Sequence, residues 1–153
     1  MPISSSDRAW EIMECFSTAL LITNGGLETR GRPMAVAVSR KDNALYFLSD
    51  VTSDKDYEIQ FDPAVIVAFV DPAAHKYAWV SGRATVANDR LRIRQLWTPA
   101  AEAWWDSAED PDIRVVKVVP ERADYWTGGG KIASYAALAS SEVGAEEGPP
   151  LAV

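Results

Sequence analysis

The chain has 153 residues, 48% of them hydrophobic, and a formal net charge of −7. That length and apolar content suit one domain with one substantial core and exclude general disorder. An acidic chain without a basic tail argues against nucleic acid or an anionic membrane as the main partner, yet it leaves room for a local anion site made by a few well-placed cations.

Ser4, Ser5, Ser6 and Asp7 supply helix caps, and Ala9, Ile12, Met13 and Phe16 follow at helical spacing, so a short helix is predicted over roughly the first fifteen residues. Residues 17–23 (STALLIT) read as a buried strand, closed by the turn signal Asn24-Gly25-Gly26. Residues 33–39 (PMAVAVS) and 44–49 (ALYFLS), separated by Asp42-Asn43, read as a hairpin. Thr52, Ser53 and Asp54 then cap a short helix that carries Tyr57, Ile59 and Phe61 and stops at Asp62-Pro63.

Residues 64–70 (AVIVAFV) form a β-branched strand, turned by Asp71-Pro72. Residues 77–86 read as a long strand with Gly82 as a bulge or bend. Asn88 and Asp89 cap a helix through Leu96 and Trp97, and a Trp-rich helical stretch follows over residues 99–105. Residues 113–119 form a strand continuing towards Trp126; Gly128-Gly129-Gly130 breaks it, and residues 131–138 are predicted as a final helix. Residues 1–140 are thus expected to make a single domain, with 141–153, rich in Gly, Pro and Glu, as a flexible tail. Six strands with short helices between them and no βαβ rhythm predict a mainly β fold, a closed or partly closed antiparallel barrel with peripheral helices. The Gly triplet lies near the C-terminus with no βαβ unit after it and is no dinucleotide fingerprint.

With one cysteine, Cys15, no intramolecular disulfide is possible, which fits a reducing, cytoplasmic setting; the polar start, residues 1–7, has no charged leader followed by an apolar run. With one histidine, His75, neither a zinc site nor a Cys-His or Ser-His-Asp set can be assembled. The acids Asp71, Asp106, Glu109, Asp110 and Asp112 match no calcium loop, so no metal is expected.

The segments richest in chemistry are residues 30–36 (RGRPMAV) and 48–55 (LSDVTSDK). Arg32 would open a strand, Ser49 would end the next one, and Ser53 and Lys55 would stand at a helix N-terminus, whose free N–H groups carry partial positive charge. Arginine fork, ammonium, hydroxyl and helix end together suit a phosphate. Spacing alone favours a plainer reading, in which Thr52 or Ser53 caps the helix and Arg32 and Lys55 are solvated. Six tryptophans are many for this length. Most are expected in the core or an interface, but the adjacent pair Trp104 and Trp105 cannot both face one core, so one should meet a ligand or a second subunit.

The stretches Arg32-Pro33-Met34, 45–55 (LYFLSDVTSDK), Val80-Ser81-Gly82, 96–105 (LWTPAAEAWW) and 119–126 (VPERADYW) together resemble the pyridoxamine 5'-phosphate oxidase-like flavoproteins, above all the general stress protein 26 group. The resemblance runs from about residue 9 to 126. It implies an FMN-binding split β-barrel and a homodimer with FMN at the subunit interface. By position, Arg32 matches the arginine that binds the FMN phosphate, and Ser53 and Lys55, with Thr52 beside them, match the phosphate-binding turn. Met34 and Ala35 match the strand along the flavin ring, and Leu48 and Ser49 the strand end beside the ring and ribityl chain. Tyr77 matches a ring contact from the other subunit, and Trp104 the tryptophan typical of the stress-protein group.

Asp54 stands where the true oxidases carry a second basic residue, and Ala37 where they carry a lysine, so weaker FMN binding is expected. Their C-terminal substrate motif of Arg and His has no counterpart near residues 121–126, which argues against pyridoxamine phosphate as substrate. The implied function is a flavin-dependent oxidoreductase with an unidentified small-molecule substrate or electron donor. The alternatives are a non-catalytic FMN-binding or storage protein, or a split barrel for another cofactor such as deazaflavin F420 or haem.

Overall fold

The computed structural model describes residues 4–26 and 28–126 in full, and the backbone of residues 131–136 and 146–150. Helix α1 (Ser5–Glu14) starts in a capping box: Ser4 accepts from the Asp7 N–H, and Asp7 accepts from the Ser4 N–H. Ala9, Trp10, Ile12 and Met13 are buried, so one face of this helix closes over the barrel.

Strands β1 (Thr18–Asn24), β2 (Thr29–Ala35), β3 (Ala37–Ser39), β4 (Ala44–Asp50), β5 (Ala64–Asp71), β6 (Lys76–Ala87) and β7 (Ile113–Trp126) join antiparallel in the order β2-β1-β5-β6-β7-β4-β3. The two ends of that order, β2 and β3, are consecutive in the chain and separated only by Val36, whose N–H donates to the Ser17 carbonyl at 3.0 Å. One stretch of chain therefore pairs with β1 through its first half and with β4 through its second. This curls the sheet into the expected split barrel of six strands, counting β2 and β3 as one. The predicted hairpin is β3-β4 alone; the segment before it, starting four residues earlier than expected at Thr29, belongs to β1.

Inward residues alternate along each strand. Ala19 and Leu21 of β1, Leu45 and Phe47 of β4, Val65, Val67 and Phe69 of β5, Ala78 and Val80 of β6, and Val116 and Val118 of β7 fill the core. Phe16 meets Phe69 edge-on, ring centres 5.3 Å apart. A smaller cluster lies on the outer face of β4 and β7: Ala44, Tyr46, Ile113 and Val115, covered by Ile93 of α3 (Arg90–Leu96) and by Trp97 and Trp105. Gly82 marks the predicted irregularity, since the β6-β7 register shifts between Ser81 and Gly82; a Cβ there would stand 2.4 Å from the Val119 carbonyl oxygen.

The predicted final helix over 131–138 is corrected. Residues Lys131–Ala136 form strand β8, antiparallel to residues 122–126 of β7, and Glu146–Pro150 form β9 against β8. The alanine-rich sequence favours helix locally, but the free edge of β7 offers a ladder of backbone partners that overrides the propensity. Among the described residues no helix is long and apolar enough to cross a membrane.

Candidate functional site

Helix α2 (Asp54–Phe61) lies across one mouth of the barrel, against the ends of β1 and β6. Unlike an ordinary surface helix it buries two acids, Asp56 and Glu58, together with Ile59. The barrel mouth answers with polar groups, and two small networks result.

In the first network, inward-facing Arg32 of β2 donates through Nη1 to Thr23 Oγ1 of β1 at 3.0 Å and through Nη2 to Glu58 Oε2 at 3.1 Å. The Thr23 hydroxyl donates to the same carboxylate oxygen. Arg30 reaches Glu58 Oε1 at 3.8 Å, with Glu28 at 3.0 Å and Asp54 at 3.2 Å as its other partners. Burial is the largest single influence on Glu58 and acts to raise its pKa. The hydrogen bonds from Thr23 and Arg32 and the charges of Arg32 and Arg30 together outweigh it, so the carboxyl titrates below the ordinary glutamate value. Lys55, also on α2, is held below the ordinary lysine value, first by burial and then by the neighbouring charge of Arg32, against the pull of Asp56, Asp50 and Asp54. Arg32 and Lys55 thus share one electrostatic neighbourhood.

In the second network, Asp56 Oδ1 accepts from the Ser49 hydroxyl at 2.8 Å and the Ser53 hydroxyl at 3.2 Å. Its Oδ2 is buried and has no partner among the described residues. Next to it Asp50 accepts from Thr52 Oγ1 at 2.6 Å, from the Thr52 N–H at 3.0 Å and from Trp105 Nε1 at 3.0 Å. These bonds hold the Asp50 carboxyl below the usual carboxylate range, with the Thr52 hydroxyl the largest cause. An ionised carboxylate only accepts, so the single protons of Ser49, Ser53 and Thr52 all point at acids. Ser53 is the N-cap of α2 but makes no side-chain capping bond, so no cap from Ser53 takes the first-turn N–H groups.

The ten residues singled out in the sequence fall into three groups. Arg32, Ser49, Thr52, Ser53 and Lys55 gather around the N-terminal turn of α2. Met34 packs on the core at the far end of β2 with exposed Ala35 after it, and half-buried Leu48 sits on the outer face of β4 with the second cluster. Tyr77 and Trp104 lie apart. Tyr77 is on β6, three strands from β2 in the sheet order, opposite Val70 and Trp126. Trp104 is 80% exposed on the 3₁₀ turn Pro99–Ala103, while its neighbour Trp105 packs inward and bonds Asp50. A cavity of about 380 Å³ beside α2 is lined by Thr52, Ser53, Asp56, Tyr57, Val86 and Arg114 among others; Arg32 and Lys55 do not line it.

Sequence reasoning missed Glu58, Asp56, Asp50 and Thr23. An acid in a short helix reads as solvated, and only the placement of α2 over the barrel mouth turns Asp56 and Glu58 inward, Glu58 onto Thr23 of β1; Asp50, at the end of β4, enters through its bonds with Thr52 and Trp105. Among the described residues no group of three or more His, Cys, Asp or Glu side chains is arranged to hold a metal ion.

The outer face of β1, β5 and β6 carries an apolar patch, bounded along β6 by Ser81 and exposed Arg83. In register, Leu20, Ala68 and Trp79 form one row and Val70 and Tyr77 the next; Leu20, Val70 and Trp79 are 39%, 57% and 45% exposed.

Residues 4–148 match the family described as Pyridoxamine 5'-phosphate oxidase like. Protein bli-3 of Neurospora crassa is 27% identical over 104 residues, covering 61% of this chain and 50% of that protein, so the chain spans about half the length of that curated relative. Among solved structures, general stress protein 26 of Bacillus anthracis superposes with a TM-score of 0.72 at 23% identity, covering 79% of this chain and 92% of the other. A pyridoxamine 5'-phosphate oxidase-related, FMN-binding protein of Nostoc punctiforme superposes with a TM-score of 0.68 at 16% identity, covering 95% and 93%. Likeness at that identity shows the shared split-barrel fold. The family match takes in nearly the whole chain, and the protein is a member of the pyridoxamine 5'-phosphate oxidase-like family.

Proposed function

We propose that the protein is an FMN-binding flavoprotein that holds the cofactor's phosphate at the N-terminal turn of α2. The observation that carries this reading is that Arg32, from β2, bonds Glu58 of α2 at 3.1 Å, three residues along that helix from Lys55, so that two cations from separate segments stand partly buried near one helix start. Two like charges brought together in a half-dry place favour an anion between them. The donor set fits a phosphate: the Lys55 ammonium, the Arg32 and Arg30 guanidiniums, and first-turn N–H groups that Ser53 does not cap. Ser53 and Thr52 contribute by holding the turn through Asp56 and Asp50 rather than by donating to the ligand.

The ring of the cofactor would lie against the backbone at Met34 and Ala35 and beside the end of β4 at Leu48 and Ser49; the side chains of Met34 and Leu48 themselves face different sides of the sheet. Bound FMN would supply two-electron redox chemistry, which needs no protein acid or base for hydride transfer; an oxidoreductase acting on a small molecule is therefore the fuller form of the reading. A Nostoc relative of the same fold described as FMN-binding supports the cofactor. Homodimerisation is part of the proposal. Strand β5 is apolar on both faces, as a strand covered on both sides is, and its outer face carries Tyr77 alongside. A second chain docked there would cover Leu20, Val70 and Trp79 and lie beside Tyr77.

The test is to purify the protein, denature it and identify the released chromophore, then titrate apoprotein with FMN. FMN is expected, with Arg32→Ala and Lys55→Ala each weakening binding by about 1.5–3 kcal/mol. Another chromophore, or unchanged affinity in both variants, removes the proposed site. Reduction of the bound flavin by NAD(P)H with turnover of an acceptor separates an oxidoreductase from a storage protein.

A further inference from the structure

Glu58 is buried, 6% exposed, yet it sits among the very cations assigned to the phosphate. Its Oε2 lies 3.1 Å from Arg32 Nη2, its Oε1 lies 3.8 Å from Arg30 Nη1, and Thr23 donates to it as well. Both terminal nitrogens of Arg32 are thereby engaged, one on Thr23 and one on Glu58. We infer that Glu58 sets the affinity of this site for phosphorylated ligands: it is an internal anion that neutralises Arg32 and Arg30 and opposes a phosphate dianion at the same guanidiniums. The inference rests on the FMN reading of the site.

Glu58 has two separable effects. As an acceptor it braces Arg32 in its rotamer, and as a charge it repels the incoming phosphate. A glutamine of the same length keeps an amide oxygen for Thr23 and Arg32 and removes only the charge. Even at the full screening of bulk water, a unit charge about 6 Å from a phosphate dianion is worth about tenfold in affinity, which sets the floor of the effect. The surroundings make the effect specific to Glu58. Asp54, on the same turn, has a side chain 79% exposed and is screened by solvent, so its charge counts for less. Glu28 is likewise exposed, at 68%. Asp56 is buried and acts on Lys55, but its hydrogen bonds are to Ser49 and Ser53 rather than to a guanidinium.

The experiment titrates apoprotein, wild type and Glu58→Gln, with FMN and with riboflavin, which lacks the phosphate. The expected result is that Glu58→Gln binds FMN at least about tenfold more tightly and riboflavin within twofold of wild type. Glu58→Asp, which withdraws the carboxylate from both guanidiniums by one methylene, moves FMN affinity the same way by less, and it provides the reading should the glutamine variant fail to fold. Unchanged or weakened FMN binding in the variants, with wild type still preferring FMN over riboflavin, overturns the inference alone. No preference for FMN in wild type overturns the phosphate site itself and the inference with it.

Discussion

The α2 mouth of the barrel and the outer face of β1, β5 and β6 treat their side chains in opposite ways. At the mouth, polar groups are buried and answered within the chain: Arg32 by Glu58 and Thr23, Ser49 and Ser53 by Asp56, Thr52 and Trp105 by Asp50. On the outer face, apolar groups are exposed and unanswered: Leu20, Val70 and Trp79. A buried charge network costs desolvation and returns little net stability over apolar packing, so its presence points to a use for those charges. An exposed apolar face on a two-sided hydrophobic strand points to a cover supplied from outside the chain. In the function proposed above, a small charged ligand would complete the first region and a second copy of the chain the other.

The comparison breaks most visibly at Trp79. Trp79→Glu places a charge in the centre of the apolar row and should weaken self-association by about 3 kcal/mol or more, read as dissociation to monomers in sedimentation at micromolar concentration. If wild type is already a monomer there, the outer face has another role. Arg32→Ala tests the mouth. It leaves Glu58 buried without its main cation and should cost about 2–3 kcal/mol of unfolding free energy in urea, beyond its effect on any ligand.

Acid should do the same more gradually. The folded pKa of Glu58 lies below its ordinary value of 4.5, so its contribution to stability is present above that pH and is lost as pH falls through the folded value. The acid limb of the stability curve should flatten in Glu58→Gln; an unchanged limb assigns acid denaturation to other carboxyls. Smallest of all is Trp104→Ala. At 80% exposure the side chain holds no core together, and unfolding should change by less than about 0.5 kcal/mol, while any contact with a ligand or second chain would be lost.

Much of this was legible in the sequence where patterns are local. The Ser4 cap and helical spacing located α1, the β-branched run located β5, and Asp89 located α3. Spacing alone leaves Arg32 and Lys55 as solvated cations, and only the family resemblance singles them out as a pair. What escaped depended on non-local placement. Residues Thr29–Arg32 (TRGR) do not look like a strand, yet β1 supplies them with a partner. The Ala-rich 131–136 segment looks helical, yet the β7 edge recruits it. Glu58 looked like an ordinary solvent-facing acid, and nothing short of knowing that α2 crosses the barrel mouth beside Thr23 could bring it into the site. Polar burial follows topology, and one sequence shows topology only through its apolar periods.

In the proposed function, Arg32 and Lys55 together hold a phosphate. The most direct measurement is the ratio of FMN to riboflavin affinity, by calorimetric titration, in wild type and in Lys55→Ala. We expect wild type to favour FMN by at least about 100-fold, the lower end of two charge-assisted contacts, and the preference to shrink at least tenfold when the ammonium is removed. Equal affinity for the two flavins, or a preference indifferent to Lys55, would contradict the account.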